Sequence, residues 1–218
     1  MQERKRDYYY KKAKEEKYRS RAAYKLFQAV EKYHFIKKED VVVDLGAAPG
    51  GWVQAVRKIV GKKGFVLGVD LKPIEPFPEH NVRTIIGDIT EQETLEQVVD
   101  ALPRKADVVI SDASPNISGI WEIDHARQMD LAQHSLKIAL ETLRPSGNFF
   151  VKVFQGDMLD DFIKKVEKRF EDVKVIKPKA SRAKSSELFI LGMRLKKSAS
   201  GSSKDKNPFG SFIVSRVK

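Results

Sequence analysis

The stretch VVVDLGAAPGGWVQAV, residues 41–56, decides how the rest of the chain is read. Val41, Val42 and Val43 are β-branched and consecutive, as in a strand buried on both faces of a parallel sheet. Gly46, Gly50 and Gly51 let the backbone turn tightly and approach a ligand with no Cβ in the way. From Trp52 onward, Val53, Val56 and Val60 recur at helical spacing, which predicts a helix after Pro49. A plain strand-to-helix loop also uses glycine, so these residues alone leave the ligand open.

The pattern repeats along the chain. Strands are predicted over 64–70, 81–88, 106–112 and 147–154, with two more in EDVKVIKP and ELFILGMRL. Helices are predicted over 20–33, 52–60, 92–102, 124–143 and 157–169. This alternation implies a doubly wound α/β sheet, mostly parallel. Residues 178–186 leave no room for a helix, so the last two strands are expected to pair antiparallel. The chain divides into a basic, Tyr-rich segment over 1–17, a catalytic domain over 18–195 and a flexible Ser-, Gly- and Lys-rich tail over 196–218.

In such a sheet, ligands sit beyond the carboxyl ends of the strands. Asp44, Asp70, Asp88 and Asp112 fall at or near those ends. One such acid serves as a helix cap; four in succession point to a shared ligand. A dinucleotide fingerprint needs a second glycine where Ala48 stands, so a nicotinamide cofactor is disfavoured without being excluded. S-adenosylmethionine brings no phosphate to cradle. Its ribose diol suits Asp70, its adenine amino group suits Asp88, and its methionine end reaches the glycine turn. The residues point to this methyl donor as cofactor.

Composition and charge narrow the partners. The 218 residues carry 41 Lys and Arg against 30 Asp and Glu, a net charge of +11. Such an excess is a footprint for polyanions, nucleic acid foremost, although a lysine-rich solvated surface would look similar. Arg4, Lys5, Arg6, Lys11, Lys12, Lys14, Lys17, Arg19, Arg21 and Lys25 interleave with Tyr8, Tyr9, Tyr10 and Tyr18. Cations beside stackable rings suit RNA. Lys177, Lys179, Arg182 and Lys184 form a second basic group. No apolar run is long enough to span a membrane and no secretory signal opens the chain. The absence of cysteine excludes thiolate metal sites and suits a reducing cytoplasm. His34, His80, His125 and His134 lack ligand-like spacing, so no metal is expected.

SRAAYKL (20–26), VVDLGAAPGGWVQ (42–54), GVDL (68–71), GD (87–88), SDASPNISG (111–119), VKVFQGD (151–157) and SRAKSSELFIL (181–191) stand in an order and spacing that resemble the FtsJ/RrmJ (RlmE) methyltransferases. The resemblance covers roughly residues 18–194 and implies an archaeal member of the family. It implies a seven-stranded Rossmann-like methyltransferase sheet with an antiparallel last strand. The implied reaction is S-adenosylmethionine-dependent 2′-O-methylation of a uridine in large-subunit ribosomal RNA, by a monomer. By the same resemblance Gly50, Trp52, Asp70, Asp88 and Asp112 hold the cofactor. Lys25, Asp112, Lys152 and Glu187 form the catalytic set, with Lys152 at its centre. The tail is too short for the extra RNA-binding β-domain that some archaeal relatives carry.

A ribose hydroxyl is a poor nucleophile until its proton is removed or polarised, so much of the catalysis is positioning. A neutral Lys152 takes that proton; a charged one orients the hydroxyl and steadies the developing oxyanion. The sequence leaves both open. Without the resemblance, a lysine in FFVKVF reads as a side chain snorkelling at a sheet edge. Two alternatives remain at this level. One is a relative acting on a tRNA anticodon loop or an mRNA cap, and the other is an RNA-binding assembly protein without catalysis.

Overall fold

A computed structural model describes residues 2–181 and 185–197, with side chains from Tyr8 onward. Of the flexible tail expected over 196–218, all but residues 196–197 lies outside the described residues, as do the basic residues Arg182 and Lys184. Two helices come first, α1 (Gln2–Glu15) and α2 (Ala23–Tyr33). The alternating body then runs β1 (Val41–Leu45), α3 (Gly51–Val60), β2 (Phe65–Asp70), β3 (Val82–Ile86), α4 (Gln92–Ala101), β4 (Ala106–Ser111) and α5 (Trp121–Thr142). It closes with β5 (Leu143–Phe154), α6 (Leu159–Arg169), β6 (Phe170–Ile176) and β7 (Glu187–Leu195).

The seven strands form one sheet in the order β3-β2-β1-β4-β5-β7-β6. β1 to β5 pair in parallel, while β7 is antiparallel to both β5 and β6. The expected antiparallel pairing is present. Its less obvious consequence is that β7 inserts between β5 and β6, which brings Glu187 and Phe189 beside Lys152.

Alternation along each strand builds two apolar layers. Val41, Val43 and Leu45 of β1, with Phe149, Val151 and Val153 of β5, meet Leu95, Met129, Leu136, Phe162 and Val166 of α4, α5 and α6. Val42 and Phe150 face the other way, onto Leu26, Val30, Val53 and Val56 of α2 and α3. The triple valine is therefore buried on both sides, as a central parallel strand requires. Each such side chain, fully buried, contributes about 1.5–3 kcal/mol.

Several boundaries differ from the sequence reading, α2 beginning at Ala23 rather than at residue 20, and α1 is not among the expected helices; two of the differences bear on the site. α5 begins at Trp121 rather than at residue 124. Asp124 sits inside its first turn and folds back to accept hydrogen bonds from the Ser118 and Gly119 N–H groups at 2.7 and 3.0 Å. Those donors pull its carboxyl below the usual range, the Ser118 N–H most of all. β5 starts at Leu143, because Leu143 pairs with Ala106 ahead of a register shift in β4. Among the described residues no helix is long and apolar enough to cross a membrane.

Candidate functional site

β1 and β4 are neighbours whose following connections lead to opposite edges of the sheet, so a crevice opens beyond their carboxyl ends. The glycine turn lies in it. Gly46 has φ +75, and a Cβ there would stand 2.5 Å from the Ala113 Cα, so the turn lies directly against the chain leaving β4. Gly46 and Ala47 donate N–H bonds to the Val69 carbonyl at 2.8 and 3.1 Å. Ala48 N–H donates to Asp70 Oδ2 at 2.9 Å, and Lys72 N–H to Asp70 Oδ1 at 2.9 Å. Asp70 thus shapes the turn and also lines a cleft of about 90 Å³ together with Gly46, Gly87, Asp88 and Ala113. Asp88 Oδ1 accepts from Thr90 N–H at 2.9 Å and from Thr90 Oγ1 at 2.8 Å.

Asp44 is fully buried on β1, and neither carboxylate oxygen has a hydrogen-bond partner. Burial first, then the charges of Asp112 and Asp70, push its carboxyl well above the ordinary range. A crevice with several carboxylates and an orphaned acid beneath it favours a ligand bearing positive charge and hydroxyls. It opposes a pyrophosphate.

Trp52 differs from the other expected cofactor residues. Its Nε1 donates to the Ala22 carbonyl at 2.8 Å, and its ring stacks on Phe150 at 5.8 Å between centroids. The side chain joins α3 to α2 and the sheet, so its backbone in the first turn of α3 is the part left for a ligand. Gly50, at φ +106, caps that turn.

The expected catalytic residues meet on one face of the sheet. Lys152 of β5 pairs in register with Phe189, and Phe154 with Glu187. Alternation by two then puts Lys152 and Glu187 on the same side. α2 packs on that side, and its Lys25 reaches Glu187 with Nζ 2.7 Å from Oε1 and 2.8 Å from Oε2. Ser181 Oγ donates to Glu187 Oε1 at 2.8 Å. Lys152, 5 % exposed, donates from Nζ to the Asp112 carbonyl at 2.7 Å and lies 3.1 Å from Asp112 Oδ1. The carbonyl takes one direction about Nζ and the carboxylate lies at ion-pair distance, so a donor direction stays open.

Two positioning residues escaped the sequence reading. Gln128 of α5 is buried, and its Nε2 donates to the Ala113 and Lys152 carbonyls at 3.2 and 3.1 Å, which ties the end of β4 to β5. The sole signal was a polar residue on the apolar stripe of a helix. Gln128→Leu keeps the volume and removes both donors. It is expected to cost about 1–3 kcal/mol, a fall in melting temperature on the order of 5 °C. An unchanged melt would show that these bonds contribute nothing.

Arg19 is the other. Its guanidinium donates to the Glu75 and Pro76 carbonyls at 2.6 and 3.0 Å and lies 3.9 Å from the Phe77 ring centroid, directly over Gly50. Arg19 and Lys25 therefore serve internal contacts, where the charge pattern grouped them with RNA-facing cations. Tyr9 and Tyr18 also turn inward. They pack with Ala13, Tyr24 and Ala180, and Tyr9 Oη accepts from Gln28 Nε2 at 2.8 Å. Tyr8 and Tyr10 remain exposed on α1.

Comparison with known proteins gives the family. The profile of the FtsJ-like methyltransferase family matches residues 18–195. The chain is 54% identical over 195 residues to the ribosomal RNA large subunit methyltransferase E of Methanocaldococcus jannaschii, covering 88% of this chain and 80% of that protein. It is 49% identical over 203 residues to the protein of the same name from Methanobrevibacter smithii, covering 93% and 97% respectively. Among solved structures, a Plasmodium falciparum chain described as a ribosomal RNA methyltransferase superposes with a TM-score of 0.70. It is 27% identical, and the match covers 82% of this chain and 98% of that one.

Proposed function

This chain belongs to the FtsJ-like methyltransferase family, and from that premise we propose that it methylates the ribose 2′-hydroxyl of a uridine in large-subunit ribosomal RNA, using S-adenosylmethionine. The observation that carries the reading is the meeting of two ion pairs, Lys152 with Asp112 and Lys25 with Glu187, on one sheet face beside an acid-lined cleft. The names of the archaeal relatives supply the RNA class.

S-adenosylmethionine, when bound, supplies an electrophilic methyl group on a sulfonium. Asp70 would take the ribose diol and Asp88 the adenine amino group, and Gly50 with the Trp52 backbone would hold the methionine end. Asp112, at the junction of cleft and quartet, faces both cofactor and Lys152. Lys152 meets the 2′-hydroxyl through its unfilled direction. With Nζ neutral, one N–H holds the Asp112 carbonyl and the lone pair takes the proton. With Nζ charged, the third N–H holds the hydroxyl oxygen and stabilises the alkoxide. Glu187 and Lys25 fix the far wall of the site and keep each other's charge balanced.

Incubation with labelled methyl donor and large-subunit ribosomal RNA should place label on a ribose 2′-oxygen. Calorimetry should find one S-adenosylmethionine per chain, with Asp88→Ala binding about 10-fold or more weaker, the scale of a hydrogen bond to a charged group. Binding of NADH with no binding of S-adenosylmethionine would overturn the assignment.

A further inference from the structure

The connection from β4 to α5 presents large apolar side chains to solvent beside Asp112. Ile117 is 63% exposed, Ile120 54% and Trp121 44%. A cluster of that kind at the rim of a site marks a contact surface, because single exposed apolar residues need no explanation but contiguous ones do.

The Trp121 ring is set into a nearly parallel stack. It lies 5.7 Å from His125 at an interplanar angle of 22°, and 6.0 Å from Phe154 at 21°. Phe154 is two residues beyond Lys152 on β5 and pairs with Glu187, so the stack begins beside the proposed catalytic residues. His125 is 6% exposed, and its Nε2 accepts the Met158 N–H at 3.3 Å. Gly156 makes room for it, since a Cβ there would stand 2.6 Å from the His125 ring. The connection is also held in shape. Asp124 accepts from Ser118 N–H, Ser118 Oγ and Gly119 N–H at 2.7, 2.8 and 3.0 Å. The apolar surface is therefore preorganised, which lowers the entropy lost when something docks on it. Next to it, Met158 borders a groove of about 410 Å³ that carries Lys164, Lys165 and Lys168 beside Asp157 and Asp161; Lys164 lies 3.2 Å from Asp161, so the groove keeps a small excess of positive charge.

We infer that Trp121, backed by His125 and Phe154, is a platform on which an unpaired base of the RNA stacks next to the reacting nucleotide, while the lysine groove follows the adjoining phosphates. The inference rests on the RNA substrate proposed above. A flat ring with apolar flanks and cations alongside is the chemistry of single-stranded nucleic acid, in which every base offers a π face and every linkage a charge. A net charge of +11 agrees with that occupant.

The test uses the full chain and a short single-stranded RNA of mixed sequence. The chain has two tryptophans, and Trp52 is buried, so RNA should quench the emission of Trp121 and the quench should vanish in Trp121→Ala. Trp121→Ala should bind this RNA roughly 5- to 100-fold more weakly, the range for losing one stacked base. Trp121→Tyr should recover most of the affinity, which separates stacking from a general loss of fold. The salt dependence should keep its slope, since no phosphate contact is removed, and S-adenosylmethionine affinity should stay unchanged. Unaltered RNA affinity in Trp121→Ala, or no quench in the parent, would overturn the platform and assign this surface to a protein partner. Quenching and stacking losses in a chain that transfers no methyl to RNA would leave the platform standing and overturn the proposed reaction instead.

Discussion

Lys152→Ala is expected to transfer methyl groups at least ~10²-fold more slowly than the parent, the lower range for losing a positioned acid–base group. Binding of S-adenosylmethionine and RNA should be nearly unchanged. The separation follows from the geometry: Nζ is bound to Asp112 alone, away from Asp70, Asp88 and the glycine turn. The rate measured at saturating substrate should therefore fall while both dissociation constants hold. Lys152→Arg decides how the residue works. Arginine keeps the charge and cannot release a proton at physiological pH. If Lys152 is the base, the arginine variant should be nearly as slow as alanine. If it is a fixed cation, a good part of the rate should return, less what the wider guanidinium loses beside Asp112. Full activity in Lys152→Ala would remove this residue from the mechanism.

Gly46→Ala should be the most damaging single methyl group in the site. The residue sits at φ +75, where a Cβ costs roughly 1–2 kcal/mol on backbone grounds. The new Cβ would also meet backbone, with Ala113 Cα at 2.5 Å and its nitrogen at 2.6 Å. Neither atom can yield as a flexible side chain would, so the turn and the chain after Asp112 must part, adding about 1–3 kcal/mol. The expected total is about 2–5 kcal/mol, a melting-temperature drop on the order of 10 °C for a chain of this size. Separation of the turn from Ala113 widens the cleft at its floor, so S-adenosylmethionine binding should fall below detection even where the protein remains folded. Gly61→Ala is the control for backbone strain remote from the site: φ +73 and ψ −169 lie in a region essentially restricted to glycine, and nothing stands within 4 Å of the added Cβ. It should carry the backbone cost alone and leave cofactor binding intact. Equal effects of the two substitutions on S-adenosylmethionine binding would show that the contact with Ala113 does not shape the site.

Much of the architecture could be read from the residues because it rests on local rules. The valine run of β1, the helical spacing after Trp52, and acids at successive strand ends follow from side-chain period and turn chemistry, which act over a few positions. Even the antiparallel pairing of the last strands came from a short connection with no room for a helix. The four residues proposed as the catalytic set could be named through a resemblance to a family, and through nothing local. Lys25 and Glu187 are 162 positions apart, and Lys152 and the Asp112 carbonyl 40 apart.

Tertiary structure alone decided the partners. The sequence marked Arg19, Lys25, Tyr9 and Tyr18 as one basic aromatic run, whereas the fold divides them among a clamp over Gly50, an ion pair with Glu187 and a small apolar cluster. Trp52 sits inside the glycine motif, yet its ring belongs to the core. The sequence put Asp44 among the strand-end acids and Gln128 on an apolar stripe, but the unpaired carboxyl of the one and the two carbonyl partners of the other follow from the fold. The physical reason is common to all of them. Secondary structure reports a residue's neighbours along the chain, but a side chain's hydrogen bonds, burial and charge depend on neighbours across it. Those are set by strand order and register, above all by the insertion of β7 beside β5, which is a property of the whole sheet and of no segment within it.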